Sequence, residues 1–122
     1  MFQFLFDENT GRLASNTPPL AQLQAGSGPR HFVFSPDNRF LFVLNELTAG
    51  VVTFSLDPKT GLLTPRGETK ALPAESSLRP GAPRPAPGRN VENDIWASDI
   101  HVTPDGRYLY ASERTSSTIN AL

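Results

Sequence analysis

Two internal repeats constrain this sequence more than any other feature. The segment PDNRFLFVLNE begins at Pro36 and recurs as PDGRYLYASER from Pro104, a spacing of 68 residues. A second pair, FQFLFDENTGRL from Phe2 and VTFSLDPKTGLL from Val52, has a spacing of 50 residues. Self-similarity at a fixed period of about 20–50 residues marks a repeat architecture. The chain is therefore predicted to contain copies of one unit of about 50 residues.

The two spacings differ by 18 residues, which requires an insertion in one copy. The predicted place is LRPGAPRPAPGRN, residues 78–90, which holds four prolines and three arginines. Such a composition favours a solvated polyproline-type loop. Anion binding by the three arginines is the alternative.

Each unit alternates short β-rich runs with turns. The complete copy contains the runs HFVFS, RFLFVLNE, VVTFSL and LLTPRGE, separated by PDN, LTAG and DPKTG. In these turns proline sets φ, while Asn and Gly tolerate the left-handed conformation. Four short antiparallel strands per unit are typical of a β-propeller blade. The predicted fold class is all-β, a β-propeller fragment of about two and a half four-stranded antiparallel blades.

The repeats also divide the chain. Residues 1–25 are predicted to end one blade, 26–77 to form a complete blade, 78–94 to be the Pro-rich insertion, and 95–122 to start the next blade. A propeller closes on itself through about 4–8 blades, so this chain is not expected to close alone. We expect missing blades to complete it, or several copies to self-associate into a ring.

Composition excludes several classes of site. The formal net charge is −1, which argues against nucleic acid as a partner because a phosphate backbone favours a basic face. There is no cysteine, and the two histidines fit no compact ligand motif, so no metal and no other cofactor are expected. No run approaches the roughly 20 apolar residues of a membrane helix, and no basic segment opens the chain. We therefore expect no membrane partner and a cytoplasmic location.

Strand direction predicts where polar residues meet. Within a blade, the start of strand one and the end of strand two lie at the same end of the propeller. In two consecutive blades these positions are occupied by Arg30, His31, Asn45, Glu46, Asp99, His101, Glu113 and Arg114. Turn residues such as Asp37, Asp57, Lys59 and Asp105 belong to the opposite end. The sequence thus predicts one polar cleft at the mouth of the central channel.

The residue types in this cleft suit an anionic substrate. Arginine binds phosphate or carboxylate through two parallel hydrogen bonds, and His or Glu can activate a water as general base. The predicted catalytic residues are His31, Glu46 and His101, without a choice of base among them. The predicted substrate-binding residues are Arg30, Arg114 and Asp99. The alternative is structural: Asp99 would cross-link adjacent blades, and Glu46 and Arg114 would form an inter-blade salt bridge. Trp96 is predicted to be a packing residue.

Two segments resemble a known family. GSGPRHFVFSPDNRFLFVLNE and NDIWASDIHVTPDGRYLYASER are similar to the paired signatures of the bacterial propeller 6-phosphogluconolactonases. The positions that match are Gly28, Pro29, Arg30, His31, Asn45, Glu46, Ile100, His101 and Arg114. The resemblance covers nearly the whole chain apart from the insertion. It implies a seven-bladed propeller, and the family includes a fungal branch that lactonises carboxymuconate.

The resemblance implies an enzyme. The first hypothesis is a lactonase that hydrolyses a phosphorylated sugar lactone such as 6-phosphogluconolactone, so its partner would be a small anionic sugar lactone. The alternatives are a cycloisomerase acting on a muconate-like dicarboxylate and a non-catalytic propeller that serves as an interaction module. In each enzymatic case the isolated fragment is expected to be inactive, because the missing blades complete the pocket.

Overall fold

The computed structural model describes all of residues 1–122, and every regular element in it is a β-strand. There are nine strands, in the order β1 Phe2–Asp7, β2 Arg12–Leu20, β3 Pro29–Phe34, β4 Phe40–Asn45, β5 Gly50–Leu56, β6 Leu63–Lys70, β7 Ala97–Val102, β8 Leu109–Glu113 and β9 Thr118–Ala121. The all-β prediction is confirmed. No helix suited to crossing a membrane is present.

The strands form three separate antiparallel meanders. Strands β1 and β2 make a two-stranded sheet, β3 to β6 a four-stranded sheet, and β7 to β9 a three-stranded sheet. The spacing of 50 equates β1 with β5, and the spacing of 68 equates β7 with β3. One complete blade is therefore flanked by the last two strands of one blade and the first three of another, as expected for a propeller fragment.

The far-end turns are built by aspartate side chains. Asp37 Oδ1 accepts hydrogen bonds from Ser35 Oγ at 2.6 Å and from the Arg39 N–H at 3.1 Å. Asp105, its equivalent one blade later, accepts the Arg107 N–H at 3.1 Å. The hydrogen bond from Ser35 Oγ lowers the pKa of Asp37. The hydrogen bond from the equivalent hydroxyl, that of Thr103, lowers the pKa of Asp105. These turn acids therefore serve local structure at the end away from the mouth.

The core lies between the sheets and is organised by strand alternation. On β4, Leu41 and Val43 pack with Phe54 and Ala21 toward the first sheet. Leu44, which points to the opposite face, joins a second cluster with residues of the third sheet such as Ile100. Successive side chains of a strand point to opposite faces. The central blade is therefore buried on both sides, which explains why β4 is apolar from Phe40 to Leu44 instead of alternating.

The outer sheets leave large apolar side chains uncovered. On β1 the exposed fractions of Phe2, Phe4 and Phe6 are 75%, 51% and 66%. Phe32 on β3 is 58% exposed, and a groove of about 380 Å³ lies between these two sheets. Contiguous exposed apolar surface and open strand edges favour association with further chain. Self-association of the chain stays a prediction.

The backbone of the Pro-rich segment, residues 78–94, makes more hydrogen bonds to the rest of the chain than the sequence suggested. Its two ends are joined by a parallel bridge between Arg79 and Asp94, with Arg79 N–H bonded to Asn93 O at 2.9 Å. The Gly81 N–H also donates to Leu47 O at 2.9 Å, which ties the segment to the central blade. The expectation of a solvated loop is wrong for the ends of this segment, although its middle, including Arg84, is exposed.

Candidate functional site

A glycine turn sets the direction of the first strand at the mouth. Gly28 has φ of +69°, and a Cβ there would lie 2.8 Å from Leu47 Cγ, so both the backbone and the space favour glycine. Its carbonyl accepts the Glu46 N–H at 2.7 Å. This bond brings the start of β3, with Arg30 and His31, beside the residue that follows β4.

Glu46 is the meeting point of two arginines from two blades. Its Oε1 lies 3.2 Å from Arg30 Nη1 and 2.5 Å from Arg114 Nη2. Both guanidinium groups are also fixed to the third sheet, because Arg30 Nε donates to Ser98 O and Arg114 Nε donates to Trp96 O. Glu46 Oε2 makes no hydrogen bond. The cluster therefore holds two oriented cations and one free carboxylate oxygen.

Asp99 pairs with both histidines. Its Oδ1 lies 2.9 Å from His31 Nδ1, and its Oδ2 lies 3.1 Å from His101 Nε2. The hydrogen bond from His31, with others from the Ile100 N–H and His101, lowers the pKa of Asp99 to about 2. An ionised carboxylate only accepts hydrogen bonds, so both ring nitrogens that face it carry protons. A neutral His31 therefore keeps its lone pair on Nε2.

The six predicted site residues, which we call the mouth cluster, line two neighbouring depressions in this chain. Glu46 and Arg114 line a depression of about 430 Å³. His31, Asp99 and His101 line a second of about 310 Å³, together with Arg30. Arg30 joins the two, because it also bonds Glu46. Each carboxylate gathers its own cations or imidazoles, and the single cleft stays a prediction for the propeller completed by further blades.

Two residues that were expected at the mouth are instead buried behind it. Asn45 is 0% exposed and Glu113 is 3% exposed. Glu113 accepts the Trp96 N–H at 2.7 Å and the Ser116 N–H at 2.7 Å. Burial acts to raise the pKa of Glu113, but these hydrogen bonds outweigh it and leave the pKa below its ordinary value. Successive residues of an extended chain face opposite sides. Of the two pairs Asn45–Glu46 and Glu113–Arg114, only the second member of each therefore reaches solvent.

Trp96, which the sequence predicted only as a packing residue, and Thr115, for which nothing was predicted, also line the candidate site. Both line the depression that contains Glu46 and Arg114. The Arg114 guanidinium carbon lies 5.9 Å from the centroid of the Trp96 ring, within the range of cation–π contact. Trp96 thus packs against a cation and also forms a wall of the depression. The one indication in the sequence was the position of Trp96, one residue before β7.

The arrangement supports anion binding with proton transfer. Two guanidinium groups converge on one carboxylate, and an aspartate orients a histidine whose second ring nitrogen is free. Groups of this kind can hold a phosphate, a carboxylate or a developing oxyanion. Neither the aspartates and histidines of the mouth nor any other set of three or more ligand side chains is arranged as a metal site.

Comparison with known proteins identifies relatives over the whole chain. The family model described as "Lactonase, 7-bladed beta-propeller" matches residues 1–122. A 6-phosphogluconolactonase of Pectobacterium carotovorum is 35% identical over 111 residues, which cover 91% of this chain and 29% of that protein. A 6-phosphogluconolactonase of Cronobacter sakazakii is 37% identical over 109 residues, 89% of this chain and 28% of that protein. The chain thus spans less than a third of the length of these relatives.

Solved structures show the same architecture. A protein from Lactobacillus plantarum aligns with a TM-score of 0.77 at 28% identity, covering 98% of this chain and 30% of that one. A periplasmic gluconolactonase of Pseudomonas aeruginosa aligns with a TM-score of 0.71 at 24% identity, covering 98% and 33%. With the family match over every residue, these similarities show that the chain belongs to the family of seven-bladed β-propeller lactonases.

Proposed function

We propose that the mouth cluster contributes to the active site of a lactonase, in a propeller completed by further blades. The substrate would be a phosphorylated sugar lactone such as 6-phosphogluconolactone, and the product the open-chain acid. The observation that carries this proposal is the pairing of Glu46 with Arg30 and Arg114, which come from adjacent blades. The names of the relatives support the same activity.

In the proposed reaction, water adds to the carbonyl carbon of the lactone. A base takes the proton of that water, the carbonyl oxygen becomes an oxyanion, and the bond from carbon to ring oxygen then breaks. The ring oxygen leaves as a hydroxyl after it takes up a proton, so one water is consumed for each acid formed. Arg30 and Arg114 would stabilise the oxyanion or hold the phosphate.

Two groups could serve as the base, and their geometry differs. Glu46 Oε2 is free and lies in the depression that holds the Arg114 cation. His31 Nε2 is free and is oriented by Asp99, in the manner of a histidine held by a carboxylate. We propose Glu46, because base and oxyanion donors must act on one carbonyl and Glu46 is in contact with both arginines. His101 would then assist only through Asp99.

A cycloisomerase that acts on a muconate-like dicarboxylate is the second candidate function. Two separately anchored guanidinium groups suit a substrate with two carboxylates. A non-catalytic interaction module is the third, and it is favoured by the fact that Arg30, Arg114 and Asp99 all have partners in the adjacent blade. Such struts would explain the cluster without any ligand.

The test is a substrate comparison with the complete protein. We expect hydrolysis of 6-phosphogluconolactone well above the spontaneous rate and no turnover of a carboxymuconate. Replacing Arg114 by alanine should raise KM by about tenfold or more, because a charged hydrogen bond contributes about 1.5–3 kcal/mol. The matched control is Arg107→Ala, which removes an arginine stacked on Tyr108 at the far end of the same blade. Equal KM values for the two variants would contradict the proposal.

We also propose that the substrate is met in the cytoplasm. Phosphorylated sugars carry charge and do not cross a bilayer unaided, since moving an ion into the hydrocarbon core is costly. One structural relative is a periplasmic gluconolactonase, so the two compartments are real alternatives within the fold. Cell fractionation followed by immunoblotting of the complete protein decides between them. Recovery in the periplasmic fraction would refute the proposal.

A further inference from the structure

A buried carboxylate closes the Pro-rich segment. The Asp94 side chain is 0% exposed and lies between two arginines of that segment. Arg79 Nε donates to Asp94 Oδ1 at 2.8 Å. Arg89 Nη2 donates to the same oxygen at 2.9 Å and lies 2.8 Å from Oδ2, toward which it lacks hydrogen-bond geometry. Arg79 also donates to Asn90 O. We call this group the Asp94 clamp.

The clamp is continuous with the walls of the Glu46 depression. Thr115, which lines that depression, donates its hydroxyl to Asp94 O at 2.6 Å. Two residues after Asp94, Trp96 O accepts both the backbone N–H and the Nε–H of Arg114, each at 3.1 Å. The position of Arg114 is therefore fixed by backbone that the clamp holds in place.

The same segment also contacts the other side of the site. Gly81 donates its N–H to Leu47 O, directly after Glu46, and a Cβ at Gly81 would lie 2.6 Å from Ile95 O. Ala97 N–H donates to Glu46 O at 2.9 Å. The chain thus runs between the two blades at the level of the mouth, and only a close backbone approach leaves room for it.

From these contacts we infer that the clamped Pro-rich segment supports the backbone that walls the anion site, and that Asp94 is a positioning residue for Arg114. The clamp also neutralises two of the segment's three arginines, since Arg79 and Arg89 both face Asp94. Of the three arginines only Arg84, which is exposed in the middle of the segment, has no ion pair. The segment therefore shapes the site by its backbone and not by offering a second cluster of cations. The inference rests on the proposed function only where it gives Arg114 an anion to bind.

Limited trypsin digestion of the complete protein tests the clamp at a single bond. Arg79 and Arg84 each precede proline, and trypsin does not cut such bonds, so only the bond between Arg89 and Asn90 is cleavable within the segment. We expect Asp94→Asn to increase the initial cleavage rate at this bond by about tenfold or more, because it removes the charge that holds Arg89. The matched control Glu92→Gln removes an exposed carboxylate of the same segment and should leave the rate unchanged. Equal cleavage in both variants would overturn the clamp.

A second measurement tests the link to Arg114. The fluorescence of Trp96 is isolated as the difference between a protein and its Trp96→Phe counterpart. We expect Asp94→Asn to shift the emission of Trp96 in the same direction as Arg114→Ala, because both remove the guanidinium from the ring. Glu92→Gln should cause no shift. An unchanged emission in Asp94→Asn, with increased cleavage at Arg89, would refute the positioning role and leave a simple loop staple.

A milder variant keeps the test valid if Asp94→Asn fails to fold. Arg79→Gln removes one arm of the clamp, retains the cleavable bond, and should give the same two effects at reduced size. Its matched control is Arg84→Gln, which removes an arginine without an ion pair. These readouts need no substrate. If 6-phosphogluconolactone is not turned over by the unaltered protein, the proposed function fails while the clamp is still decided by proteolysis and fluorescence.

Discussion

Replacing Glu46 by glutamine separates a catalytic carboxylate from an inter-blade strut. The Glu46 side chain is 23% exposed, and its partners Arg30 and Arg114 are 35% and 48% exposed. Half-exposed ion pairs are screened by solvent and contribute about 0.5 kcal/mol each, so the two together contribute about 1 kcal/mol to the free energy of unfolding. Loss of a general base, in contrast, lowers kcat by about 10²–10⁴-fold. At about 1.4 kcal/mol per factor of ten, the activation barrier rises by about 3–5 kcal/mol.

The two quantities are measured on the same complete protein. Turnover of 6-phosphogluconolactone is followed by NMR with the spontaneous rate subtracted, and the free energy of unfolding is measured by urea denaturation. The matched control is Asp105→Asn, which removes an exposed carboxylate of a far-end turn and should leave kcat unchanged. A kcat within threefold of the original would refute the catalytic role, and the loss of stability of about 1 kcal/mol would then be the whole effect of removing a strut.

Three further predictions concern acid sensitivity, the core and assembly. The pKa of Asp99 is lowered to about 2, so its paired form stabilises the folded state above about pH 4 and loses that contribution as the pH falls toward 2. Because Asp99 is half exposed, Asp99→Asn should cost about 1 kcal/mol at pH 7 and nothing near pH 2, as measured by urea unfolding at both pH values; an equal loss at both pH values would contradict this. Phe54 is 0% exposed, so Phe54→Ala should reduce the free energy of unfolding by about 3–5 kcal/mol. A loss below about 1 kcal/mol would contradict this and show that the core closes around the space left by the ring. The 122-residue chain alone should self-associate and show no lactonase activity, and a monomer in sedimentation velocity with measurable turnover would refute both statements.

The architecture could be predicted from the sequence because the repeats carry it. The spacing of 68 equates two whole strand–turn–strand units, and the turn residues Asp37 and Asp105 perform the same hydrogen bonding in both. A strand has a period of two, so an apolar run such as β4 is consistent with burial on both faces. The number of blades that pack on each side, by contrast, is a property of the neighbouring chain and not of these residues.

The place of the mouth cluster followed from strand direction alone, but its internal arrangement did not. Which carboxylate each cation faces depends on rotamers of long side chains, and sequence spacing does not determine them. Glu113 was missed as a buried support because its role depends on the backbone of Trp96, which lies 17 residues away along the chain.

The Pro-rich segment shows a different limit. Its proline content predicted an extended, hydrated chain; the middle around Arg84 is exposed, but the chain bends at residues 83–84 and turns at residues 87–88. The clamp depends on Asp94, which is 15 residues from Arg79, and on the small size of Gly81. An inference from composition treats all residues of the segment alike. It therefore does not detect that one buried carboxylate, Asp94, pairs with Arg79 and Arg89.

The most direct test of the proposed active site is a crystal structure of the complete protein with its expected product, 6-phosphogluconate. We predict that a phosphate or carboxylate oxygen of the product lies about 2.7–2.9 Å from guanidinium nitrogens of Arg30 and Arg114, with Glu46 displaced from at least one of them. Trp96 and Thr115 should border the bound molecule. A product bound elsewhere, with Glu46 still paired to both arginines, would contradict the account and identify the mouth cluster as a set of struts between blades.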